Sequence, residues 1–337
     1  MFNKLYEKIK EIFFKNKIFF ITFFATLILF KIKLPYTIDM PGGYINVSNR
    51  ITLENAYEQR GSFNMAYVSE INASIPMYLI ALLNPEWDIV NNKDILLDND
   101  TLENLIVRNK LALEEANNNA KLVAFKKAGY HYEIKKEKIY TAYVSEDATT
   151  DLEVGDEIVS INNVDIESRE EIVETIKKYN IGDEITFKVK NNDKNYTKKA
   201  TIKEIDGKKA IGIVAYDILE IETDPTVKIK NANSESGPSG GLMTSLAIYN
   251  SLIEEDITHG NTIVGTGTID RNGNVGSIGG VKFKIMGAVK NKAKVFIIPN
   301  GENYDEAKKI IEKNKYNIKL VGVSTFDEAL EFLKEYN

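Results

Sequence analysis

Two stretches in the C-terminal part of the chain combine hydroxyl, glycine and lysine residues in a way that suits acyl transfer. In the first stretch, residues 236–241 read Ser-Gly-Pro-Ser-Gly-Gly. The apolar residues that follow, from Leu242 to Ile253, recur at helical spacing and predict a helix that begins at or just before Ser239. A hydroxyl there would lie at a helix N-terminus, where unpaired N–H groups stabilise developing negative charge. The simpler alternative is a Gly-Pro turn in which Ser239 only caps the helix.

The second stretch covers residues 265–284. It reads Gly-Thr-Gly-Thr-Ile-Asp and, after a short turn, Val-Gly-Ser-Ile-Gly-Gly-Val-Lys-Phe-Lys. The Asn272-Gly273 pair between these runs is a favoured hairpin turn, so strands are predicted on either side of it. Glycines ahead of a helix can hold phosphate, but neither glycine-rich nucleotide-binding motif is complete. The sequence therefore argues against a nucleotide site.

Composition narrows the chemistry that these stretches can perform. The 337-residue chain has no cysteine and only two histidines, His131 and His259. Disulfides, thiolate nucleophiles and iron–sulfur clusters are thereby excluded, and multi-histidine metal sites or a Ser–His pair using His259 are disfavoured. No metal or other cofactor is expected, so hydrolysis would rest on Ser, Thr, Lys, Asp or Glu. The net charge of −6 argues against nucleic acid as a partner.

Taken together, the two stretches resemble the proteolytic domain of Lon proteases. The resemblance rests on Gly-Pro-Ser-Gly-Gly, on Thr-Gly-Thr-Ile and on the Gly-Gly-x-x-x-Lys spacing at the end of the second stretch. It implies that Ser239 is the nucleophile, that Lys284 is the general base and that Thr266 supports them. Lys282 is the competing base. Residues two positions apart on a helix point to different sides, so only one of the two lysines is expected to face the serine. The position in the motif favours Lys284.

The implied chemistry requires a neutral lysine, because serine is a poor nucleophile until a base takes its proton. The pKa of a lysine must fall from about 10.4 toward 7, which corresponds to about 4 kcal/mol, before its amine can act as that base. Burial among apolar groups has this effect, and Val281, Ile285 and Met286 are candidates for the apolar cover. The sequence departs from the family pattern at Ser236 and Gly240, and neither departure removes a catalytic atom.

An uncharged apolar run near the N-terminus indicates a membrane anchor. Residues 18–30 number 13, fewer than the roughly 20 that a spanning helix needs. Apolar residues extend the run on both sides, and flanking lysines can reach toward lipid headgroups. A cleaved signal peptide and a buried helix are the alternatives, although no small-x-small cleavage site follows. Five lysines precede the run and two follow closely, so the N-terminus is expected in the cytoplasm and the catalytic part outside it.

Between the N-terminal apolar run and the two C-terminal stretches lies a region in which short predicted strands alternate with turns. The region resembles the PDZ domains that are attached to bacterial proteases. The resemblance rests on sequence landmarks of PDZ domains at residues 155–158, 162–164 and 182–185. That resemblance implies peptide binding by strand addition to an exposed sheet edge. The strand predicted to offer this edge consists of Tyr140, Thr141, Ala142, Tyr143 and Val144. An unrelated small β-rich domain is the alternative to the PDZ resemblance. A spacer that holds the active site away from the bilayer is the alternative to peptide binding.

The predicted organisation has four segments. Residues 1–35 form a cytoplasmic segment and the transmembrane anchor, and residues 36–128 form the N-terminal part of a Lon-like domain. Residues 129–205 form an inserted PDZ domain, and residues 206–337 carry the proteolytic domain with the catalytic dyad. The expected fold class is α/β (α+β), with a β-rich PDZ insertion and an N-terminal transmembrane helix.

The resemblance extends to membrane-anchored, PDZ-containing Lon-like proteases, and it covers nearly the whole chain. We therefore expect an ATP-independent serine endopeptidase that hydrolyses peptides and unfolded proteins at the cell membrane. The alternative is a non-catalytic, membrane-anchored PDZ scaffold that binds peptides without cutting them. A homo-oligomer is implied by the resemblance alone.

Overall fold

The computed structural model describes residues 2–205 and 207–336, which divide into two compact units. Unit 1 comprises the residues up to Pro41 together with Ser69–Ile95, and unit 2 comprises Gly42–Val68 together with the residues from Leu96 onward. Each unit has an apolar core of its own. Asp206, with which the fourth predicted segment begins, lies outside the described residues.

Helices and strands occupy most of the described chain. The helices are α1 (Phe2–Lys15), α2 (Lys17–Lys31), α3 (Ile75–Leu82), α4 (Asn92–Ile95), α5 (Leu102–Ala128), α6 (Arg169–Lys177), α7 (Gly241–Leu252), α8 (Val281–Lys290), α9 (Glu302–Asn314) and α10 (Phe326–Glu335). The strands are β1 (Lys33–Asn46), β2 (Ile51–Leu53), β3 (Ser62–Ser74), β4 (Asp88–Asn91), β5 (His131–Val144), β6 (Glu157–Ile161), β7 (Val164–Asp165), β8 (Glu184–Asn191), β9 (Lys194–Thr201), β10 (Lys203–Ile205), β11 (Lys208–Ala210), β12 (Ile213–Asp224), β13 (Val227–Ile229), β14 (Thr262–Gly265), β15 (Thr268–Ile269), β16 (Val275–Gly276), β17 (Val295–Pro299) and β18 (Lys319–Val323).

Unit 2 contains a parallel sheet with helices on both faces. Strands β18, β17, β14 and β3 lie in this order, and each neighbouring pair is parallel. Successive side chains point to opposite faces of the sheet. Ile263 and Ile297 therefore join a core with α5, α7 and α10, whereas Val264 and Ile298 join a core with α8 and α9. This is the mixed α/β core that the sequence predicts.

A second, antiparallel sheet forms the β-rich part of unit 2. Its order is β12–β5–β6–β8–β9, and β7 pairs with β6. With α6, this sheet encloses a separate apolar core that includes Ile158, Ile172 and Phe187. The turn between β8 and β9 is Asn192-Asp193, whose φ angles of 48° and 60° suit a two-residue type I′ turn. Strand-like residues on either side of the Asn-Asp pair predict a hairpin here, and the antiparallel pairing of β8 with β9 confirms it.

An apolar stripe at helical spacing, followed by Gly129, predicts one long helix over residues 102–127, and α5 occupies this stretch. The Thr101 hydroxyl caps it by accepting a hydrogen bond of 3.1 Å from the Asn104 N–H. Gly129, with φ 75°, ends it in the left-handed conformation that glycine adopts readily. Helix α5 packs against α7 and contributes Phe125 to their shared core. Residues that precede the β-rich sheet thus help to build the core around α7.

Residues 41–43 read Pro-Gly-Gly, which predicts a turn, but this prediction is wrong because β1 continues through them. Within unit 2, a Cβ on Gly42 would lie 2.5 Å from a ring carbon of Tyr67, so glycine is needed for this close approach. The glycine here serves packing against a strand rather than a reversal of the chain.

The N-terminal apolar run of unit 1 forms α2, which begins after a break at Asn16. Its 15 residues span about 22 Å, whereas the hydrocarbon core of a bilayer is about 30 Å thick. Within the described residues, no single helix is both long and apolar enough to cross a membrane, and a pair formed by α1 and α2 meets that test only with a bend of 83°.

Candidate active site

Ser239 lies in the turn that leads into α7. The helix begins at Gly241 with Gly240 as its N-cap, about two residues later than the apolar spacing predicts. The Ser239 carbonyl accepts hydrogen bonds from the Gly267 N–H (2.8 Å) and from the Thr266 hydroxyl (3.0 Å). These two donors fix the backbone of the turn, and the Ser239 residue is half-buried.

Thr266 is fully buried and contacts both residues of the expected dyad. Its N–H donates to the Ile297 carbonyl at 2.9 Å, which extends the alignment of β14 with β17. Its hydroxyl donates to the Ser239 carbonyl and accepts a hydrogen bond of 3.2 Å from the Lys284 amine. One hydroxyl therefore links the backbone of Ser239 to the side chain of Lys284.

Lys284 lies on α8 and is only 4 % exposed. Gly280, with φ 67°, turns the chain into this helix, and its carbonyl accepts the Lys284 N–H at 3.1 Å. Val281 and Ile285, two residues expected to provide apolar cover, are both buried. Burial disfavours the charged form of an amine, so these surroundings suit a lysine that must accept a proton.

Lys282 has different surroundings. Its residue is half-buried, and its amine lies 4.9 Å from the centre of the Phe283 ring in a cation–π contact. The amine that bonds to Thr266 is that of Lys284. The structure thus places the two candidate bases in two environments, one beside the Thr266 hydroxyl and one over an aromatic ring.

Comparisons with known proteins agree with both domain resemblances. Residues 221–335 match the family model of the Lon protease (S16) C-terminal proteolytic domain, and residues 123–203 match that of the PDZ domain. A Lon proteolytic domain and a PDZ domain are present. The first match contains the turn, the buried threonine and both lysines described above.

Curated relatives resemble the C-terminal part of the chain. The Lon protease of Mesomycoplasma hyopneumoniae is 34 % identical over 104 residues, which are 31 % of this chain and 12 % of the relative. The Lon protease of Campylobacter jejuni is 33 % identical over 102 residues, 30 % of this chain and 12 % of the relative. The chain thus spans only about an eighth of the length of these relatives.

A solved structure resembles the PDZ domain. The PDZ domain of the SdrC-like protein from Listeria monocytogenes is 26 % identical, with a TM-score of 0.23, and the match covers 25 % of this chain and 92 % of that one.

The strand expected to bind peptide is not at a sheet edge. Residues 140–144 (Tyr140, Thr141, Ala142, Tyr143, Val144) belong to β5, which pairs with β12 on one side and with β6 on the other. The edge prediction is wrong because β12, which follows the PDZ-like region in sequence, pairs with β5 along its length. At the opposite end of the sheet, β9 bonds to residues 149–151. That cover extends only over residues 199–201 of β9. In the described chain, no strand lies on the outer side of β12.

Two polar residues near the site were not singled out from the sequence. Glu115 and Asn119 lie four positions apart on α5, hence on one face of the helix, and both line a cavity beside Pro238. The sequence does indicate a polar face, because carboxylate and amide residues interrupt the apolar stripe of α5. Nothing in the local sequence indicates that this face meets the turn before Ser239, because the contact joins elements more than 100 residues apart.

Proposed function

We propose that this chain is a serine endopeptidase in which Ser239 attacks the peptide carbonyl and Lys284 is the general base. The observation that carries the proposal is the hydrogen-bonded path from the buried Lys284 amine through the Thr266 hydroxyl to the Ser239 carbonyl. In its neutral form the amine takes the proton of the Ser239 hydroxyl as the oxygen attacks. It then returns this proton to the leaving amine, and water resolves the acyl-enzyme with the same lysine as base.

The oxyanion of the tetrahedral intermediate needs backbone donors. The N–H groups of Gly241 and Leu242 are already bonded to the carbonyls of Pro238 and Gly267. We assign the oxyanion to the N–H groups of Ser239 and Gly240, which precede them at the positive end of α7. A single donor of this kind contributes about 3 kcal/mol to transition-state stabilisation.

The substrates proposed are peptides and unfolded proteins, cut without ATP. The test is digestion of a permanently unfolded protein by the full chain without nucleotide, with the wild type beside Ser239→Ala. Fragments from the wild type alone support the proposal. Binding of the unfolded protein by both forms, with no fragments from either, would favour the non-catalytic scaffold.

Peptide capture is proposed at the outer side of β12, in residues 213–217. This part of β12 lies beside α6, and an ion pair between Arg169 of α6 and Asp217 joins them. An unpaired strand next to a helix offers both main-chain hydrogen bonds and a wall for side chains, which is how an extended peptide binds by strand addition. The main chain supplies the affinity, so a wide range of unfolded segments fits.

A photo-crosslinking residue at Val214 should capture an unfolded substrate, and the same residue at Lys199 of β9 should not. Both positions are exposed to solvent, so both can meet a diffusing chain. The two differ because the outer side of β9 at residues 199–201 is bonded to residues 149–151. The measurement is the yield of crosslinked product on a gel. Equal yields at the two positions would remove β12 as the capture edge.

Membrane attachment through the N-terminal helices is also proposed. None of the residues of α2 is buried, although the helix is apolar all round, as expected of a helix whose surroundings are lipid. Helix α3, which belongs to the same unit, packs against α2 and leaves Leu79, Leu82 and Leu83 exposed at 56 %, 61 % and 86 %. Such a contiguous apolar surface supports contact with a bilayer. The lysine distribution supports a catalytic part outside the cytoplasm.

Because the chain has no cysteine, single cysteines report on attachment and orientation. With a membrane-impermeant maleimide on wall-stripped cells, Val164→Cys should be labelled rapidly and Phe24→Cys only after detergent. Leu83→Cys should be labelled more slowly than Val164→Cys, although Leu83 is the more exposed of the two residues in the protein, at 86 % against 64 %. Lipid contact explains such a reversal. Labelling of Val164→Cys only after lysis would contradict the orientation, and rapid labelling of Phe24→Cys would contradict the anchor.

A further inference from the structure

A cavity of about 300 Å³ opens beside the turn that carries Ser239. Its walls come from α5, from the turn before α7 and from the β15–β16 hairpin. The lining residues are Glu115, Ala116, Asn119, Pro238, Thr268, Ile269, Asp270, Asn274, Val275 and Gly276. Pro238 immediately precedes Ser239, and Thr268 immediately follows Gly267, whose N–H bonds to the Ser239 carbonyl. The cavity therefore lies where the side chain of a bound peptide would project near the scissile bond.

The ionisable groups that line the cavity are both acidic. Glu115 and Asp270 contribute carboxylates, and no lysine, arginine or histidine is among the lining residues. The carboxylate of Asp270 already accepts from the backbone of its own hairpin, at Asn272 and Asn274. Within the described part of the chain, the side chain of Glu115 makes no hydrogen bond or ion pair, so its carboxylate is the available one.

Nearby cations do not neutralise Glu115. Arg271 pairs with Glu137, and Arg169 pairs with Asp217. Burial raises the pKa of the Glu115 carboxyl above its usual value, and the attraction of Arg271 and Arg169 opposes that rise only in part. A cation bound in the cavity would offset this cost of burial directly.

A second acceptor lies on the same wall. Asn119 is 5 % exposed, and its side-chain N–H donates to the Ile269 carbonyl at 3.2 Å. Its Oδ1 atom is buried and has no hydrogen-bond partner. A buried acceptor without a donor costs free energy, which a ligand with several N–H groups would recover. Carboxylate and amide acceptors four positions apart on one helix face suit a guanidinium or ammonium group.

We infer that this cavity is a specificity subsite for the side chain of an arginine or lysine residue of the substrate, with Glu115 as its determinant. The inference rests on the proposed peptidase function. Apolar walls from Ala116, Ile269 and Val275 would cover the methylene groups of the side chain. The charged end would reach Glu115 and Asn119. The chain would then cut unfolded proteins preferentially beside basic residues.

The test uses pairs of peptides that differ only in carrying arginine or citrulline, its uncharged analogue of the same shape, at successive positions around the cut. At one position, kcat/KM of the full-length wild type should be about 10-fold or more higher for arginine, as expected for a charge-assisted hydrogen bond. Glu115→Gln should abolish that ratio by lowering the value for the arginine peptide. Glu114→Gln is the matched control, since Glu114 is the exposed neighbour and does not line the cavity.

Measurements of peptide binding test the subsite independently of peptidase activity. The same peptides are titrated onto full-length Ser239→Ala, which keeps every lining residue, and onto Ser239→Ala combined with Glu115→Gln or Glu114→Gln. Tighter binding of the arginine peptide that only Glu115→Gln removes supports the subsite even if no peptide is ever cut. Equal binding of arginine and citrulline peptides at every position overturns the subsite, even if the wild type proves to be an active peptidase.

Discussion

Lys284→Met should lower kcat/KM toward an unstructured peptide by about 10³-fold, the usual size of a general-base contribution. Methionine fills nearly the same space and removes only the amine that bonds to Thr266. Because the position is buried, an apolar residue of similar length should leave the fold intact. The measurement is steady-state hydrolysis of a fluorogenic peptide, with the melting temperature recorded beside it.

Lys282→Met is the matched control. It removes an amine that lies over the Phe283 ring, at 4.9 Å from the ring centre, and should retain most of the activity. Ser239→Ala should be at least as inactive as Lys284→Met, because the two residues act in one step and their losses do not add. If Lys282→Met is inactive and Lys284→Met is active, the assignment of the base is wrong.

Thr266→Val should reduce kcat by about 10- to 100-fold, the range that corresponds to losing a hydrogen bond to a charged or reacting group. Valine has the shape of threonine but neither accepts from the Lys284 amine nor donates to the Ser239 carbonyl. In the proposed mechanism Thr266 is a positioning residue, since it acts through its two neighbours. The expected change is therefore in kcat, with KM nearly constant.

Thr266→Ser separates positioning from packing. Serine restores the hydroxyl but removes the methyl group, so it should recover most of kcat even if it lowers the melting temperature. Loss of activity in Thr266→Ser equal to that in Thr266→Val, with both proteins folded, would mean that the hydroxyl contributes nothing.

The residues proposed for the site could be predicted from the sequence because the resemblance to Lon proteases rests on short, local motifs. Glycines and short hydroxyl residues around Ser239 and Thr266 mark backbone that must turn tightly, and Gly280 marks the start of α8. The expectation that Lys284 and Lys282 point to different surroundings follows from helix geometry alone. What the sequence does not contain is the contact between α5 and the β15–β16 hairpin, which makes Glu115 part of a cavity.

The β-rich domain shows the same limit of local reasoning. Its hairpin at Asn192-Asp193 was predictable, because the type of a two-residue turn depends on the adjacent residues that form it. The edge strand was not predictable, because β12 pairs with β5, and the paired residues are 69 to 93 positions apart in sequence. The alternating side chains of residues 140–144 are equally compatible with an edge strand and with an inner strand of a sheet that has one open face.

The N-terminal run illustrates a third case, in which composition and geometry give different information. Hydropathy predicts one continuous helix, but the helix is interrupted at Asn16, and α2 is about 22 Å long. Asn16 interrupts the helix with a polar side chain that bonds back to the Ile12 carbonyl at 2.9 Å. Such competition between a side chain and the helix backbone is a property of the individual residue, which averaged hydropathy does not register.

Covalent labelling of the full chain by a fluorophosphonate, with the modified residue located by mass spectrometry, tests the central claim most directly. Only a serine activated by a neighbouring base reacts readily with this reagent. The account predicts a single adduct on Ser239 in the wild type, loss of peptide hydrolysis in step with labelling, and no adduct in folded Lys284→Met. An unmodified Ser239 in wild-type protein, or an equal adduct in Lys284→Met, would contradict the Ser239–Lys284 dyad.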